Sequence, residues 1–424
     1  MSNLQKILFR LQKLHPKEID LSLNRIKNFC KKLGNPERNL NVISVVGTNG
    51  KNSTIQTMRS ILNEAKVKTN IYTSPHIQKI NERYVYNNIE ITDDELSELL
   101  SEIENINNGK QITYFEILTA AFLKKANENK NNINIIEAGL FHRFDATNVF
   151  EKNLASVVTT IGLDHTDWLP ENERTIDKII HEKTISLLNS KIIVSNQENI
   201  EILSKIKKSL SNNSSKKIYF NDLYTYSLTE NNFFYYEDEF GGLKLPMPNL
   251  LGNFQLANVA TAIATLRNID EIDISENNIK EGIIKIKTIG RLQEINSGNL
   301  KKFINNNKLI VDGSHNPLGG KVLSEYLESI ENKKHLIVGM MSNKNHQEFL
   351  DNFINKVSSL TTVDIPNQPN AIRGEDLKNK IKGFENIQYK RSIKEALDSL
   401  ELKENDIAII TGSLYLAGEV LNLN

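Results

Sequence analysis

Two hydrophobic periods alternate along the chain. The short, β-branched, apolar runs NVISVV, NIYTS, INIIEAG, ASVVTTIG and KIIVSN each read as a buried strand. Stretches with helical spacing, such as ELSELLSEIENI and FEILTAAFLKKA, lie between some of them. This alternation predicts a doubly wound, mostly parallel sheet. Leu4, Ile7, Leu8, Leu11 and Leu14 share one helical stripe, which predicts an amphipathic N-terminal helix ending before Pro16. From about Lys216 to Pro248 the pattern becomes aromatic, turn-rich and alternating. It predicts a small antiparallel excursion appended to the first sheet. The helix NFQLANVATAIATLRNI follows. A second alternating series begins near Lys308, with KLIVDGS, KHLIVGMM, LTTVDIP and DIAIITGS as its strands. The polar segment GRLQEINSGNLKK lies between the two series. The expected organisation is a domain over 1–290, a junction over 291–302, and a smaller C-terminal α/β domain over 303–424.

Length agrees, because 424 residues exceed what one core usually holds. Lys+Arg and Asp+Glu balance at 52 each, so nothing global steers the protein to nucleic acid or an anionic membrane. Any anion site must be local. The one cysteine, Cys30, excludes an intramolecular disulfide and a cysteine metal cluster, and suits a reducing compartment. In IKNFCKKLG it is expected on a helix, as a small buried apolar residue. No apolar run approaches a membrane span. The basic start MSNLQKILFRLQKLHPKEID could mimic a transit peptide, but the helical stripe accounts for it. A cytoplasmic protein is expected.

The stretch VISVVGTNGKNSTIQTM, Val42 to Met58, carries the first candidate chemistry. Val42–Val46 predict a strand, and Ile55, Met58, Ile61 and Leu62 predict the helix after it. Between them lie Gly47, Thr48, Asn49, Gly50, Lys51, Asn52 and Ser53. A strand, a glycine-bearing loop and a helix start offer backbone N–H groups to an anion. Lys51 is placed to neutralise outer phosphates, and Ser53 has a hydroxyl for the phosphate or its Mg²⁺. The general P-loop pattern has a longer gap before its Gly-Lys pair; here only Thr48 and Asn49 intervene. A Gly/Asn turn between strand and helix is the alternative on these residues alone. Asn52 stands where a glycine would be comfortable. That is tolerable if positive φ is the need, and less so if space is.

GTNGK followed by a hydroxyl residue resembles the nucleotide loop of the Mur ligase superfamily. Further motifs narrow the resemblance to the folylpolyglutamate synthase/dihydrofolate synthase family. YTSPHIQKINERYVYNNIEIT, TYFEILTAAF, IIEAGLFHRFDATNV, TTIGLDHTDWL, HEKTISL, LGNFQLANVATAIA, GRLQEI, VDGSHNP, GMMSNKN and ITGSLYLAGEV follow in the family's order, from about residue 15 onward. The resemblance implies a P-loop-bearing ATPase domain joined to a smaller Rossmann-like domain. It also implies a reaction. A pteroate or folate carboxylate attacks the γ-phosphate of ATP, and L-glutamate's amine then displaces phosphate from the acyl phosphate. Holding a carboxylate beside a triphosphate requires Mg²⁺ and lysine to cancel charge.

By the same resemblance Ser74, Glu137 and His165 hold metal, in a site for two Mg²⁺ ions. A histidine is unusual for so hard an ion, and on its own His165 reads as a capping or core residue. Lys183 matches a lysine that is carbamylated in the family, which makes a cation into an anionic ligand and requires a lowered pKa. The family's EKAGI is EKTISL here, and on its own Lys183 reads as an exposed helix lysine. Lys51, Lys183 and His165 are the implied catalytic residues. Asn258, Arg291 and Asp312 match ATP contacts. His315 and Asn316 in DGSHNP sit at a predicted strand end, where α/β folds place ligands, although the segment also reads as a turn.

For the acceptor, Asp20, Leu21, Ser22 and Leu23 match the family's dihydropteroate segment, and Phe115 and Asp145 are implied as lining residues. On its own Phe115 reads as core. Where the family usually has two glycines this chain has Phe141 and His142, and the added bulk could alter an acceptor wall. The resemblance implies a monomeric, bifunctional ligase acting on dihydropteroate and tetrahydrofolate derivatives. Three alternatives stand beside it: a folate-only extender, a ligase for a peptidoglycan precursor, and an inactive nucleotide-binding regulator. DLSL and TYFE argue against the second. The full set of charged candidates argues against the third.

Overall fold

The computed structural model describes residues 2–17 and 20–424. Met1, and Glu18 and Ile19 of the segment LHPKEIDLSLNRI, lie outside the described residues. The chain forms two compact units. The first comprises Met1–His165, Pro170–Asn249 and Leu256–Ile286; the second comprises Thr166–Leu169, Leu250–Gln255 and Lys287–Asn424.

The first unit is built on an eight-stranded sheet. Its strands are β1 (Asn41–Val46), β2 (Thr69–Tyr72), β3 (Tyr84–Tyr86), β4 (Ile89–Glu90), β5 (Ile133–Glu137), β6 (Ala155–Val158), β7 (Lys191–Val194) and β8 (Lys217–Tyr219). They lie in the order β4-β3-β2-β5-β1-β6-β7-β8. From β2 to β8 every neighbouring pair is parallel. β3 and β4 add an antiparallel hairpin at one edge, turned by Asn87 and Asn88, both at positive φ. Two left-handed residues suit the right-handed twist of a tight hairpin. β1 is buried from Val42 to Val46, as expected of a strand covered on both faces.

The helices of this unit are α1 (Asn3–Gln12), α2 (Asn24–Lys32), α3 (Lys51–Glu64), α4 (Asp93–Asn107), α5 (Tyr114–Ala126), α6 (Ile176–Thr184), α7 (Ile200–Ser209), most of α8 (Phe254–Arg267) and α9 (Glu276–Ile284). α1 buries Leu4, Ile7 and Leu11, with Leu8 and Leu14 packed on the same core. Cys30 is buried on α2, and burial raises its thiol pKa, so it is inert. Thr92 and Glu95 form a capping box at α4, and Thr113 and Glu116 form another at α5.

α9 packs on α3 through Gly282. A Cβ there would stand 2.6 Å from Ile61 Cα. Alanine normally helps a helix interior by up to about 1 kcal/mol. Overpacking against rigid backbone costs about 1–3 kcal/mol, so the clash wins. Gly282→Ala is expected to lower the thermal unfolding midpoint; an unchanged or raised midpoint in a melting curve would contradict this contact.

The aromatic stretch differs from its sequence reading. Its start supplies β8, a parallel edge strand of the first sheet. The rest forms a separate antiparallel sheet rather than an extension: β9 (Tyr224–Leu228), β10 (Phe234–Asp238) and β11 (Gly241–Leu245), in the order β11-β10-β9. Its inward residues Tyr224, Phe234, Tyr236, Leu243 and Leu245 are buried, which gives this sheet its own apolar face.

The second unit holds a six-stranded sheet. β12 (Gln293–Glu294), β13 (Lys308–Val311), β14 (Lys334–Val338), β15 (Ser359–Val363), β16 (Ile387–Lys390) and β17 (Ile407–Thr411) lie in the order β12-β13-β17-β14-β15-β16. Only β12 is antiparallel. α10 (Pro317–Glu328) follows β13. The segment 291–302, expected as a junction, belongs to this unit. It supplies β12 and a 3-10 turn, and its Leu292, Ile295 and Leu300 enter the cores on the two faces of the sheet. Those apolar side chains anchor a stretch whose other residues look like a linker. No helix among the described residues is long and apolar enough to cross a membrane.

Candidate active site

The candidate residues of the first unit gather at the C-terminal ends of its central parallel strands. The phosphate loop follows β1, Ser74 follows β2, Glu137 ends β5, and Thr159–Asp164 follow β6. Such ends, where strand order branches to both sides of β1, are where open α/β sheets bind ligands.

Local chemistry shapes the loop. Gly47 has φ 149° and a Cβ on it would collide with Thr159; Gly50 caps α3 at φ 87°. Both positions favour glycine. The backbone N–H groups of Thr48 and Asn49 donate to Thr160 O at 2.9 and 3.1 Å, which pins the loop to the end of β6. No side chain caps α3, so its first-turn amides lack an intrahelical or capping partner and suit an anion. Lys51 Nζ donates to Gly47 O and Thr48 O at 3.2 and 3.1 Å, and lies 3.9 Å from Glu137 Oε1. Asn52 lies inside α3 without positive φ, so it costs no backbone strain. Ser53 is buried in the same turn. Asn258 on α8 stands over the loop: a Cβ on Gly50 would be 2.3 Å from its Oδ1.

Ser74 and Glu137 meet directly. Ser74 N donates to Glu137 Oε2 at 3.1 Å. Ser74 Oγ is buried with no hydrogen-bond partner, an arrangement that costs free energy unless a ligand satisfies it. Among the described residues, no group of three His, Cys, Asp or Glu side chains is arranged to hold a metal ion. His165 lies in the segment after β6, beside Asp164. Its N–H donates to Asp164 Oδ1 at 2.9 Å, its ring lies 3.8 Å from Asp164 Oδ2, and its backbone is left-handed at φ 58°. That conformation is uncommon outside glycine.

Lys183 is not the exposed lysine its spacing allows. It is 1% exposed on α6, and Nζ donates to Gly47 O at 2.8 Å and Leu140 O at 3.0 Å. Burial, and after it the Lys51 charge, pushes its ammonium down to about 7, while Asp164 and Asp145 pull the other way. The charged form is thus penalised by folding. The penalty is complete below about pH 7 and fades as pH rises toward the unfolded value of 10.5. Lys183→Met is therefore expected to change the melting midpoint more favourably at pH 6 than at pH 9. The two carbonyls it orphans are lost at both pH values and cancel. A pH-independent difference would contradict the buried amine.

The acceptor candidates form a second cluster. Asp20 Oδ2 accepts from Arg25 Nη1 at 2.7 Å, and Arg25 Nε donates to Glu116 Oε2 at 2.9 Å. Arg25 thereby ties Asp20–Leu23 to TYFE. Ser22 Oγ accepts from Asn24 N, and Leu23 packs on the core. Leu21 is half-buried. Phe115 is part-buried and stacks on Tyr72, with centroids 6.0 Å apart. A Cβ on Gly139 would stand 2.7 Å from its ring and 3.2 Å from Asp145 Oδ2. Asp145 itself is buried, and its carboxylate accepts from Gly139 N, Leu140 N, Thr147 N and Thr147 Oγ1. Its role is to staple its own loop. Phe141 and His142 are 1% and 3% exposed and turn toward α6. His142 bonds to Ser186, and the Phe141 ring lies beside Lys183.

In the second unit, Asp312 accepts from Leu292 N and Ser314 N, both at 2.9 Å. Arg291 Nη1 would stand 2.8 Å from a Cβ on Gly313, and His315 Nδ1 lies 2.8 Å from Gly313 O. Asn316 caps α10 by accepting from Gly319 N at 2.8 Å. The segment DGSHNP is a turn and also a strand-end loop after β13.

A family described as "Dihydrofolate synthetase, C-terminal domain" matches residues 295–423. Dihydrofolate synthase/folylpolyglutamate synthase of Haemophilus influenzae is 30% identical over 442 residues, covering 99% of this chain and 97% of that protein. The chain belongs to the dihydrofolate synthase/folylpolyglutamate synthase family. Members are ATP-dependent ligases, and the chain is an enzyme of that class. The solved structure of E. coli FolC in complex with DHPP and ADP is 28% identical, with a TM-score of 0.86 over 99% of this chain and 97% of that one. A bifunctional folylpolyglutamate synthase/dihydrofolate synthase with Mn, AMPPNP and L-glutamate bound is 25% identical, with a TM-score of 0.84 over 100% and 98%.

Four further residues beside the candidate site carry no assignment from the sequence. Arg25 and Glu116 are joined across 91 residues of sequence. Glu116 Oε1 is buried without a partner. Thr54 Oγ1 is likewise buried and unpartnered in the first turn of α3, one residue beyond Ser53. Asp164, beside His165, is one of two acids whose charge reaches Lys183, with Asp145. The hydroxyl after GKNS was a visible signal for Thr54; the others depend on tertiary contacts.

Proposed function

We propose that this ligase adds L-glutamate to dihydropteroate and to tetrahydrofolate derivatives, as a cytoplasmic monomer. The observation that carries the reading is the junction of the phosphate loop with Ser74, Glu137 and Lys183 at the ends of β1, β2 and β5 and on α6. The α3 amides and Lys51 cradle the triphosphate of ATP. Thr48, Asn49, Gly50, Asn52 and Ser53 complete the loop, and Asn258 borders it. The family resemblance assigns Arg291, Asp312, His315 and Asn316 to nucleotide binding as well.

The unpartnered Ser74 hydroxyl and the Glu137 carboxylate fit a hard divalent cation. They would hold Mg²⁺ together with His165 and, as a carbamate, Lys183, in a site for two ions. Bound there, Mg²⁺ would supply positive charge to the phosphate oxygens. The depressed ammonium of Lys183 supports the carbamate, which forms on a neutral amine.

The acceptor lies along Phe115 and the loop stapled by Asp145, with Asp20–Leu23 and Glu116 toward its pterin end. Glu116 Oε1 can accept from a pterin N–H donor. The acceptor carboxylate then attacks the γ-phosphorus, the bond to ADP breaks, and Lys51 offsets the charge of the transferring group. The glutamate amine attacks the acyl carbon, a proton leaves the nitrogen, and phosphate departs. The test uses acceptor labelled with ¹⁸O in its carboxylate. One labelled oxygen is expected in the released phosphate; unlabelled phosphate would exclude an acyl phosphate.

A further inference from the structure

Lys183 reaches the phosphate loop through a second fixture that its own helix does not supply. The loop after β5 is fastened to the end of α6 at several points. Leu140 O accepts from Lys183 Nζ at 3.0 Å. Glu182 O accepts from the N–H groups of His142 and Arg143 at 3.1 and 3.0 Å, which satisfies a carbonyl that a helix end leaves open. Arg143 Nη1 donates to Glu182 Oε1 at 3.2 Å. The Glu182 contacts fix where α6 ends, and the bond to Leu140 O holds the Lys183 side chain from one side.

Two further contacts flank Lys183, one at its side chain and one on the chain after it. The ring of Phe141 lies 5.8 Å from Lys183 Nζ and fills the space beside it. His142 Nδ1 and Ser186 Oγ share a bond of 2.8 Å, which fixes the chain nearly one helical turn beyond Lys183. Nζ itself donates onward to Gly47 O at 2.8 Å. The amine therefore bridges the phosphate loop and the loop that carries Phe141 and His142.

We propose that Phe141 and His142 are positioning residues that hold Lys183 Nζ in register with the phosphate loop. The inference rests on the reading of Lys183 as a working residue of the ligase. Neither side chain touches substrate in this account. A purely structural role would lower the amount of folded protein and leave Lys183 as it is in the folded fraction.

The test compares wild type with the Phe141→Ala/His142→Ala double variant by trace acetylation with acetic anhydride, read by peptide mass spectrometry on the full chain. In wild type Lys183 is expected to be protected relative to exposed Lys79. In the double variant its labelling is expected to rise by about tenfold, as for loss of roughly 1.4 kcal/mol of local closure, with Lys79 unchanged. In parallel kcat is expected to fall by at least about tenfold with KM for L-glutamate held within about twofold, because a displaced reacting group costs rate rather than remote binding. Phe141→Leu/His142→Asn is expected to restore both. If the double variant does not fold, Ser186→Ala cuts the same bond from the other side and is read in the same way.

Wild-type labelling and kcat in the variants, with Lys183→Ala inactive, would overturn the inference and leave the Lys183 reading standing. Uniformly faster labelling of all lysines, without a selective effect at Lys183, would also overturn it. Turnover by Lys183→Ala would instead remove the reading on which it rests.

Discussion

Lys51→Ala is expected to reduce kcat by on the order of 10³-fold while the protein stays folded. The ammonium sits where two anions must meet, within 3.9 Å of Glu137 and bonded to the carbonyls of Gly47 and Thr48. Removing it takes away the ammonium bonded to both Gly47 O and Thr48 O. The loop does not collapse, because Thr48 and Asn49 stay bonded to Thr160 O and Gly50 keeps its place at the start of α3. The melting midpoint is expected to move by only about 1–2 °C, the size of one lost side-chain contact in a domain this large. The variant also removes a charge that helps depress the Lys183 ammonium, which adds to the loss of rate. Turnover assays on the folded variant check this; retained turnover would remove the loop from the chemistry.

The second large effect is expected of Glu137→Gln. The change is nearly isosteric, so Ser74 N keeps an acceptor and β5 keeps its place beside β1. What is lost is the negative charge next to the unpartnered Ser74 hydroxyl. A hard cation bound by oxygen ligands depends on that charge. The Mg²⁺ concentration for half-maximal rate is expected to rise by at least about 10–100-fold, the range lost even when outer partners of a metal site are removed. The rate at saturating Mg²⁺ is expected to fall with it. An unchanged Mg²⁺ profile would reject Glu137 as a ligand.

The parts legible in the sequence are those set by local chemistry. β1, the phosphate loop and α3 follow from four buried apolar residues, two glycines at positive φ and a helical stripe. The four main strands of the second unit were visible for the same reason. β16 was not: its residues are all half-buried and its pattern carries no clean period. β12 has only two residues and forms by pairing with β13.

Site residues divide in the same way. Ser74, Glu137 and Lys183 could be picked out by resemblance, but the burial of Lys183 could not, because its cover comes from Phe141, more than 40 residues earlier. Phe141 and His142 looked like an acceptor wall from their place in the motif. Their contacts with α6 and the chain after it were not legible, because they depend on α6 being packed against that loop. Arg25 gave no local signal, since an arginine on a helix is usually solvated. Its partners Asp20 and Glu116 come together only in the fold.

The central claim is that one site ligates glutamate to both acceptors. The most direct measurement is ATP-dependent phosphate release by the purified protein with Mg²⁺ and L-glutamate, offering dihydropteroate or tetrahydrofolate in parallel, with product masses determined. The account predicts glutamate-dependent phosphate release with each acceptor and a product heavier by one glutamate residue. Release with tetrahydrofolate alone would contradict the bifunctional claim, and no glutamate-bearing product from either acceptor would contradict the ligase itself.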